Sequence, residues 1–167
     1  VAKLPDFLQV SQPFDRIQMG VFYQCDCTGN NHIVLGIIGD CSLLHMAGRV
    51  ANREAVTLWH CFRQLWLIPF GLPLGIVCDV DGSFFGEFQT RLDDLGITPR
   101  YVLAEAHWQE GRVERHNFTF KLLLGKLCDH LAIATPEGAD EAVAHCCHSV
   151  NSNFRRQGRS PFQAAYG

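Results

Sequence analysis

The sequence predicts an α/β domain built on a mixed sheet. Near its start, three strand-like runs follow one another with short turns between them, at residues 17–25, 32–38 and 43–50. Such a series reads as an antiparallel meander. Beyond it, short apolar runs alternate with segments of helical periodicity, the pattern of a sheet flanked by helices. The chain has 167 residues, of which 47% are hydrophobic and 19% charged, enough for one domain with a real core.

Residues 1–14 read as a lead-in with Pro5 and Pro13 as breakers, and residues 15–167 as one domain. Ile17 to Cys25 is the first strand, and Gly29-Asn30-Asn31 turns it into the second, His32 to Ile38. Leu43 to Val50 is the third. Asn52 suits the N-cap of a helix through Leu67, in which Val56, Trp59, Phe62 and Trp66 fall near helical spacing. Pro69 to Pro73 ends it. Leu74 to Cys78 is a short apolar strand running into Asp79, and Phe84 to Leu95 is a helix with Gly96 as its C′ residue. Ile97 to Leu103 is the last strand. Val113 to Leu131 is a long helix with Val113, Phe120, Leu124, Leu127 and Leu131 on one stripe. Pro136 opens a helix to about Val150, and Ser160-Pro161 a final short one.

Composition excludes several classes. No apolar run is long enough to span a membrane. Pro5, Asp6 and Gln9 interrupt any leader-peptide pattern. The net charge of −3 does not mark a nucleic-acid binder by bulk charge. Local charge says more: Arg112, Arg115, Lys121 and Lys126 lie along one helix, and Arg155, Arg156 and Arg159 form a second cluster with no acid beside them in sequence. The eight cysteines lack any Cys-x-x-Cys pair. Cys25-x-Cys27 and His145-Cys146-Cys147-His148 are spaced poorly for tetrahedral zinc, so buried free thiols are expected.

Two carboxylates carry chemical promise. Asp79 stands at the carboxyl end of a strand, where ligand sites concentrate in α/β sheets. Glu114 follows 35 positions later, at the start of the long helix. Each has a plain alternative: Asp79 as a cap for the next helix, and Glu114 as a complement to a helix dipole. Together, on neighbouring rigid elements, they could share Mg²⁺, which takes oxygen ligands.

Asp79-Val80-Asp81-Gly82-Ser83-Phe84 and Gln109-Glu110-Gly111-Arg112-Val113-Glu114-Arg115-His116-Asn117 resemble the second- and third-acid motifs of retroviral and gypsy-like LTR-retrotransposon integrase cores. Asn151 to Gly167, with Ser160-Pro161, resembles the end of those cores, so the likeness covers nearly the whole chain. The first motif has one residue more than the usual Asp-x-Gly, and Glu110 stands where Asn is frequent. The resemblance implies an RNase H-like fold: a five-stranded mixed sheet, made of a three-strand antiparallel meander plus two parallel strands, flanked by helices. It implies DNA integration through 3′-end processing and strand transfer, with a two-metal site for Mg²⁺ or Mn²⁺. Asp79 and Glu114 would be metal-binding and catalytic. Lys121, Asn117, Arg112 and Arg115 would contact DNA, and His107 and Trp108 would pin the loop ahead of the helix. The implied partners are element ends and target DNA, in a homo-oligomer, with no membrane and no small-molecule substrate. The implied location is the nucleus or a retroelement particle.

The first acid departs from the pattern. Gln18-Met19-Gly20-Val21 places glycine where such cores carry aspartate, and the register is fixed by Ile37-Ile38-Gly39-Asp40, which resembles their next strand. Gln24-Cys25-Asp26-Cys27-Thr28 superficially resembles the retroviral first motif and makes Asp26 the candidate substitute. Asp26 falls six residues after Gly20, about 20 Å along a strand, too far to share one ion in this register. The sequence therefore predicts impaired activity through Gly20. The alternatives are an active enzyme using Asp26, or a non-catalytic DNA-binding or oligomerisation module.

Overall fold

A computed structural model describes residues 12–102 and 111–167, with the side chains of Gly111, Arg112 and Glu114 outside that description. Strands β1 (Arg16–Cys25), β2 (Asn31–Gly39) and β3 (His45–Val50) form the antiparallel meander. β4 (Gly75–Asp79) and β5 (Arg100–Val102) add in parallel on the other side of β1, giving the order β3-β2-β1-β4-β5. This is the five-stranded mixed sheet the sequence predicts.

Period-two alternation along β1 separates two cores. Ile17 and Met19 face one side with Leu35 and Ile37 of β2 and Ile76 and Cys78 of β4. Helix α1 (Ala55–Phe62) covers that face with Leu58, Trp59 and Phe62, and α3 (Glu87–Asp94) adds Phe88 and Leu92. The α1 path continues through a wider-wound stretch, Arg63–Leu67, into the short α2 (Ile68–Phe70). Phe22, Val34 and Ala47 face the other side. They meet Phe120, Leu124 and Cys128 of α4 (Gly111–His130), and Ala142, Val143, Cys146 and Val150 of α5 (Pro136–Asn153). The short α6 (Pro161–Tyr166) follows α5.

The termini of elements differ from the sequence expectation for local reasons. β3 begins at His45 rather than Leu43, because Leu43 sits at φ 59° in a turn closed by its N–H on Gly39 O. Asn52 caps no helix directly. Its side chain accepts from the Glu54 N–H at 3.0 Å, and Glu54 is the N-cap residue of α1. Gly86, at φ 66°, divides the expected 84–95 helix into a single turn at Gly82–Phe84 and α3. Gly96 is the expected C′ residue: its N–H bonds to Asp93 O while the Ile97 N–H reaches Leu92 O. β5 begins at Arg100 rather than Ile97, since Pro99 has no N–H for the ladder, and Leu103 lies outside the described residues. Leu131 lies beyond the end of α4 and is exposed, so the buried stripe runs from Val113 to Cys128.

The edge strand β3 is tied to α5 by an exposed Arg49–Asp140 pair and by one buried amide. Asn151 is buried; its Oδ1 accepts from the His45 N–H and its Nδ2 donates to the His45 carbonyl, both at 2.8 Å. This amide takes the backbone groups that a further strand would otherwise pair.

Candidate active site

Parallel pairing of β1 with β4 sets Met19 beside Cys78, so the next residues, Gly20 and Asp79, are neighbours where β4 ends. Their proximity is close. A Cβ built on Gly20 would stand 2.5 Å from Asp79 Oδ2 and 3.4 Å from its Cγ. The Asp79 carboxylate thus occupies the space that a side chain at position 20 would claim. On the other flank Gly20 pairs with Gly36 of β2, and a Cβ there would meet Phe22 Cε1 at 3.4 Å and His45 Nε2 at 3.6 Å. The two glycines leave a notch of about 60 Å³, bounded also by Asp79, Val113 and Asn117.

Helix α4 closes the notch. Position 114 lies on α4 one turn before Asn117 and two before Lys121, and the Glu114 side chain lies outside the described residues. Asn117 reaches the notch, and its Oδ1 is buried with no hydrogen-bond partner. Lys121 Nζ rests 4.8 Å from the centroid of the Phe22 ring, on the same sheet face as Gly20. Arg115 is exposed, and its carbonyl accepts from the Thr119 hydroxyl. The Arg112 side chain, with His107, Trp108 and Glu110, lies outside the described residues.

Asp26 sits in the β1–β2 turn, beyond the last β1–β2 pair, Cys25 with Asn31. One of its oxygens accepts from the Thr28 hydroxyl and from the N–H groups of Thr28 and Asn30; the other faces His32 Nε2 at 2.9 Å. These bonds, the Thr28 hydroxyl foremost, hold its carboxyl well below the usual range against an opposing burial effect. Its carboxylate organises the hairpin. Asp81 does comparable local work: it accepts from the Ser83 N–H at 2.9 Å and pairs with Arg53. Asp40 pairs with Arg16.

Two histidines that sequence reasoning passed over stand behind the notch. His45 is fully buried with both ring nitrogens unpartnered, and its ring stacks on Phe120 with centroids 3.9 Å apart. His116 is buried with Nε2 unpartnered, its ring centroid 5.4 Å from that of His45. Burial depresses both, His116 to about 4 and His45 well below its ordinary value, the latter with help from His116 and Lys121. A signal existed for His116: it falls three residues after Val113 and four before Phe120, on the buried stripe.

The donor chemistry at the notch suits a hard cation. Asp79 offers an exposed carboxylate and Asn117 an orphaned amide oxygen, both oxygen donors of the kind Mg²⁺ and Mn²⁺ take. Gly20 offers nothing. No three His, Cys, Asp or Glu side chains gather among the described residues. Burial pushes the Cys78, Cys146 and Cys147 thiols up to about 12, so they remain protonated packing groups. Among the described residues no helix is long and apolar enough to cross a membrane.

No family model matches the chain, and no curated protein matches it either. Solved structures do match. The HTLV-2 integrase catalytic core domain, in complex with magnesium in a dimeric form, superposes with a TM-score of 0.75 at 16% identity, over 93% of this chain and 97% of that one. The catalytic core of BIV integrase gives 0.70 at 21% identity, over 89% and 91%. A simian T-cell lymphotropic virus intasome, in complex with PP2A regulatory subunit B56 gamma, gives 0.74 at 17% identity, over 93% of this chain and 55% of that one. The sheet order, the flanking helices and these superpositions together give the chain the RNase H-like fold of a retroviral integrase catalytic core.

Proposed function

We propose that this chain is the core of a retroelement integrase whose strand-transfer chemistry is impaired at its first acid position. The observation that carries the reading is the contact between Gly20 and Asp79. Position 20 faces the Asp79 carboxylate across two parallel strands and brings no carboxylate of its own.

Asp79, Asn117 and Glu114 are the residues that would hold a divalent cation, and a second, bridged cation lacks the carboxylate that position 20 would contribute. A cation bound there would polarise a DNA phosphodiester and activate the attacking hydroxyl or water. Lys121 would neutralise a phosphate at the rim of the same face, and Arg112 and Arg115 would extend that contact along α4. In this reading Asp26 is not the substitute acid, because its carboxylate is engaged by its own turn and by His32 of β2. The partners in this reading are element ends and target DNA, the core works as a homo-oligomer, and its location is the nucleus or a retroelement particle.

Gly20→Asp tests the proposal in strand-transfer and 3′-processing assays with cognate DNA ends and Mg²⁺. The expected result is a gain of at least tenfold. It should be accompanied by Mg²⁺-dependent thermal stabilisation larger than the parent's, and Asp26→Asn should leave turnover unchanged. No gain in either activity or Mg²⁺ response would overturn it. A second reading, a non-catalytic oligomerisation module, draws on Phe118 and Leu122, which lie four apart on α4 and are both exposed. A stable dimer lost on Phe118→Ser, with no DNA binding at any salt concentration, would favour it.

A further inference from the structure

The arginine cluster of the sequence folds into a built feature. Arg156 and Arg159 exchange backbone hydrogen bonds at 2.8 and 3.0 Å around a two-residue turn. Its central residues, Gln157 and Gly158, have φ 49° and 80°, as a tight mirror-image hairpin turn requires. Directly opposed residues of such a pair project on one side, so two guanidinium groups stand together. Like charges in that position repel unless an anion lies between them. Neither arginine has an ion-pair partner among the described residues.

The turn is braced from below. Ser160 caps α6 by accepting from the Gln163 N–H at 3.2 Å, while Gln163 Oε1 accepts from the Ser160 N–H at 3.0 Å and from Arg155 Nη1. Arg155 is therefore a positioning residue. Arg156 and Arg159 wall a cleft of about 550 Å³, and none of the residues lining it is acidic. The cleft also reaches His116, a side chain more than nine-tenths buried whose Nε2 has no partner. A histidine with an unpartnered ring nitrogen and two arginines thus line one concave space.

We propose that this cleft binds a phosphodiester of DNA, with Arg156 and Arg159 forking its oxygens and His116 Nε2 donating a hydrogen bond from within. Guanidinium geometry matches phosphate bidentately. The placement favours nucleic acid over an acidic protein, because His116 adjoins Asn117, which lines the Gly20–Asp79 notch. A DNA strand leaving the notch along the start of α4 would meet the cleft next. The inference rests on the integrase reading and adds a contact outside the acid site.

The test is fluorescence anisotropy of a labelled duplex DNA of random sequence, titrated with the chain across a salt series. Arg156→Ala/Arg159→Ala is expected to bind at least tenfold more weakly, with the log–log salt slope reduced by about 0.9, the loss of one neutralised phosphate. Arg156→Lys/Arg159→Lys should recover most of the slope and only part of the affinity. His116→Phe should weaken binding with the slope unchanged. An alanine variant that keeps its circular dichroism spectrum together with parental affinity and slope overturns the proposal. So does one that loses self-association in sedimentation velocity without a change in slope, which makes the turn a protein contact. The titration reads DNA affinity without Mg²⁺ and needs no strand transfer, so failure of the catalytic reading and failure of this one give different results.

Discussion

The two faces of the sheet are made by the same strands and differ in kind. Toward α1 and α3, Ile17, Met19, Leu35, Ile37, Ile76 and Cys78 meet a lattice of aromatic rings, with Trp59, Phe62, Phe84 and Phe88 in edge or tilted contacts 5.3 to 5.9 Å between centroids. Toward α4 and α5, the same strands present Gly20, Gly36, His45 and Asp79, and the helix presents His116 and Asn117. One face is closed and apolar apart from the buried Trp66 indole N–H, which has no hydrogen-bond partner. The other carries unpartnered polar atoms and a glycine notch, features that cost stability and are retained where a site is made.

The largest expected effect tests the closed face. Phe62 is fully buried between Trp59 and Phe88. Phe62→Ala should cost about 3–5 kcal/mol, the transfer term plus a dry cavity. Phe120→Ala on the other face should cost less, because its cavity opens onto His45 Nδ1 and Nε2, and water can enter to satisfy them. Urea unfolding of both variants checks the order. Equal losses would mean that the two faces are packed alike.

The next effect is acid sensitivity. His45 faces His116, Phe120 and Lys121 from α4, while Asn151 of α5 holds only its backbone. Burial holds the folded His116 at about 4, below its unfolded value of 6.5. The unfolded chain therefore binds more protons, so stability is full above about pH 6.5 and falls as pH drops toward 4. At pH 5 His116 alone should remove about 2 kcal/mol, and His45 acts in the same direction. The depressed Asp26 carboxyl contributes its loss only below the unfolded carboxylate range, outside this window. Denaturation midpoints at pH 7.5 and pH 5 decide the matter, and a flat profile would show that the imidazoles find partners on protonation.

Much of this was legible in the chain. The meander and the alternation after it give the five-stranded mixed sheet and put Asp79 at the end of a strand, because period-two and period-3.6 patterns report burial directly. Gly20 was legible as a missing acid through its register against Ile37-Ile38-Gly39-Asp40. Its contact with Asp79 was not, since pairing of β1 with β4 across 59 positions of chain leaves no local signal. The histidines were hidden for a different reason. A histidine on an apolar stripe reads as an interruption, and only packing shows whether it faces solvent or a neighbouring imidazole. The Arg156–Arg159 pair was visible as charge but not as a hairpin, because Gln157-Gly158 is not among the strongest turn dipeptides.

The smallest effects sharpen the comparison at two glycines. Gly39→Ala would put a Cβ 2.9 Å from Ser42 Oγ, 3.2 Å from the Pro13 carbonyl oxygen and 3.4 Å from Trp66 Cη2. A backbone oxygen and a buried indole cannot easily give way, so the substitution should cost about 1–3 kcal/mol. Gly20→Ala meets a closer atom, Asp79 Oδ2 at 2.5 Å, yet that atom is the end of a side chain with an exposed carboxylate. Rotation of Asp79 relieves the clash, and alanine suits a strand interior better than glycine. The net change should lie within about 1 kcal/mol of zero. Thermal melts of the two variants distinguish the cases. A large loss at Gly20 would mean that Asp79 is locked in place, and Gly20→Asp would then have to fail for lack of space before its charge could matter.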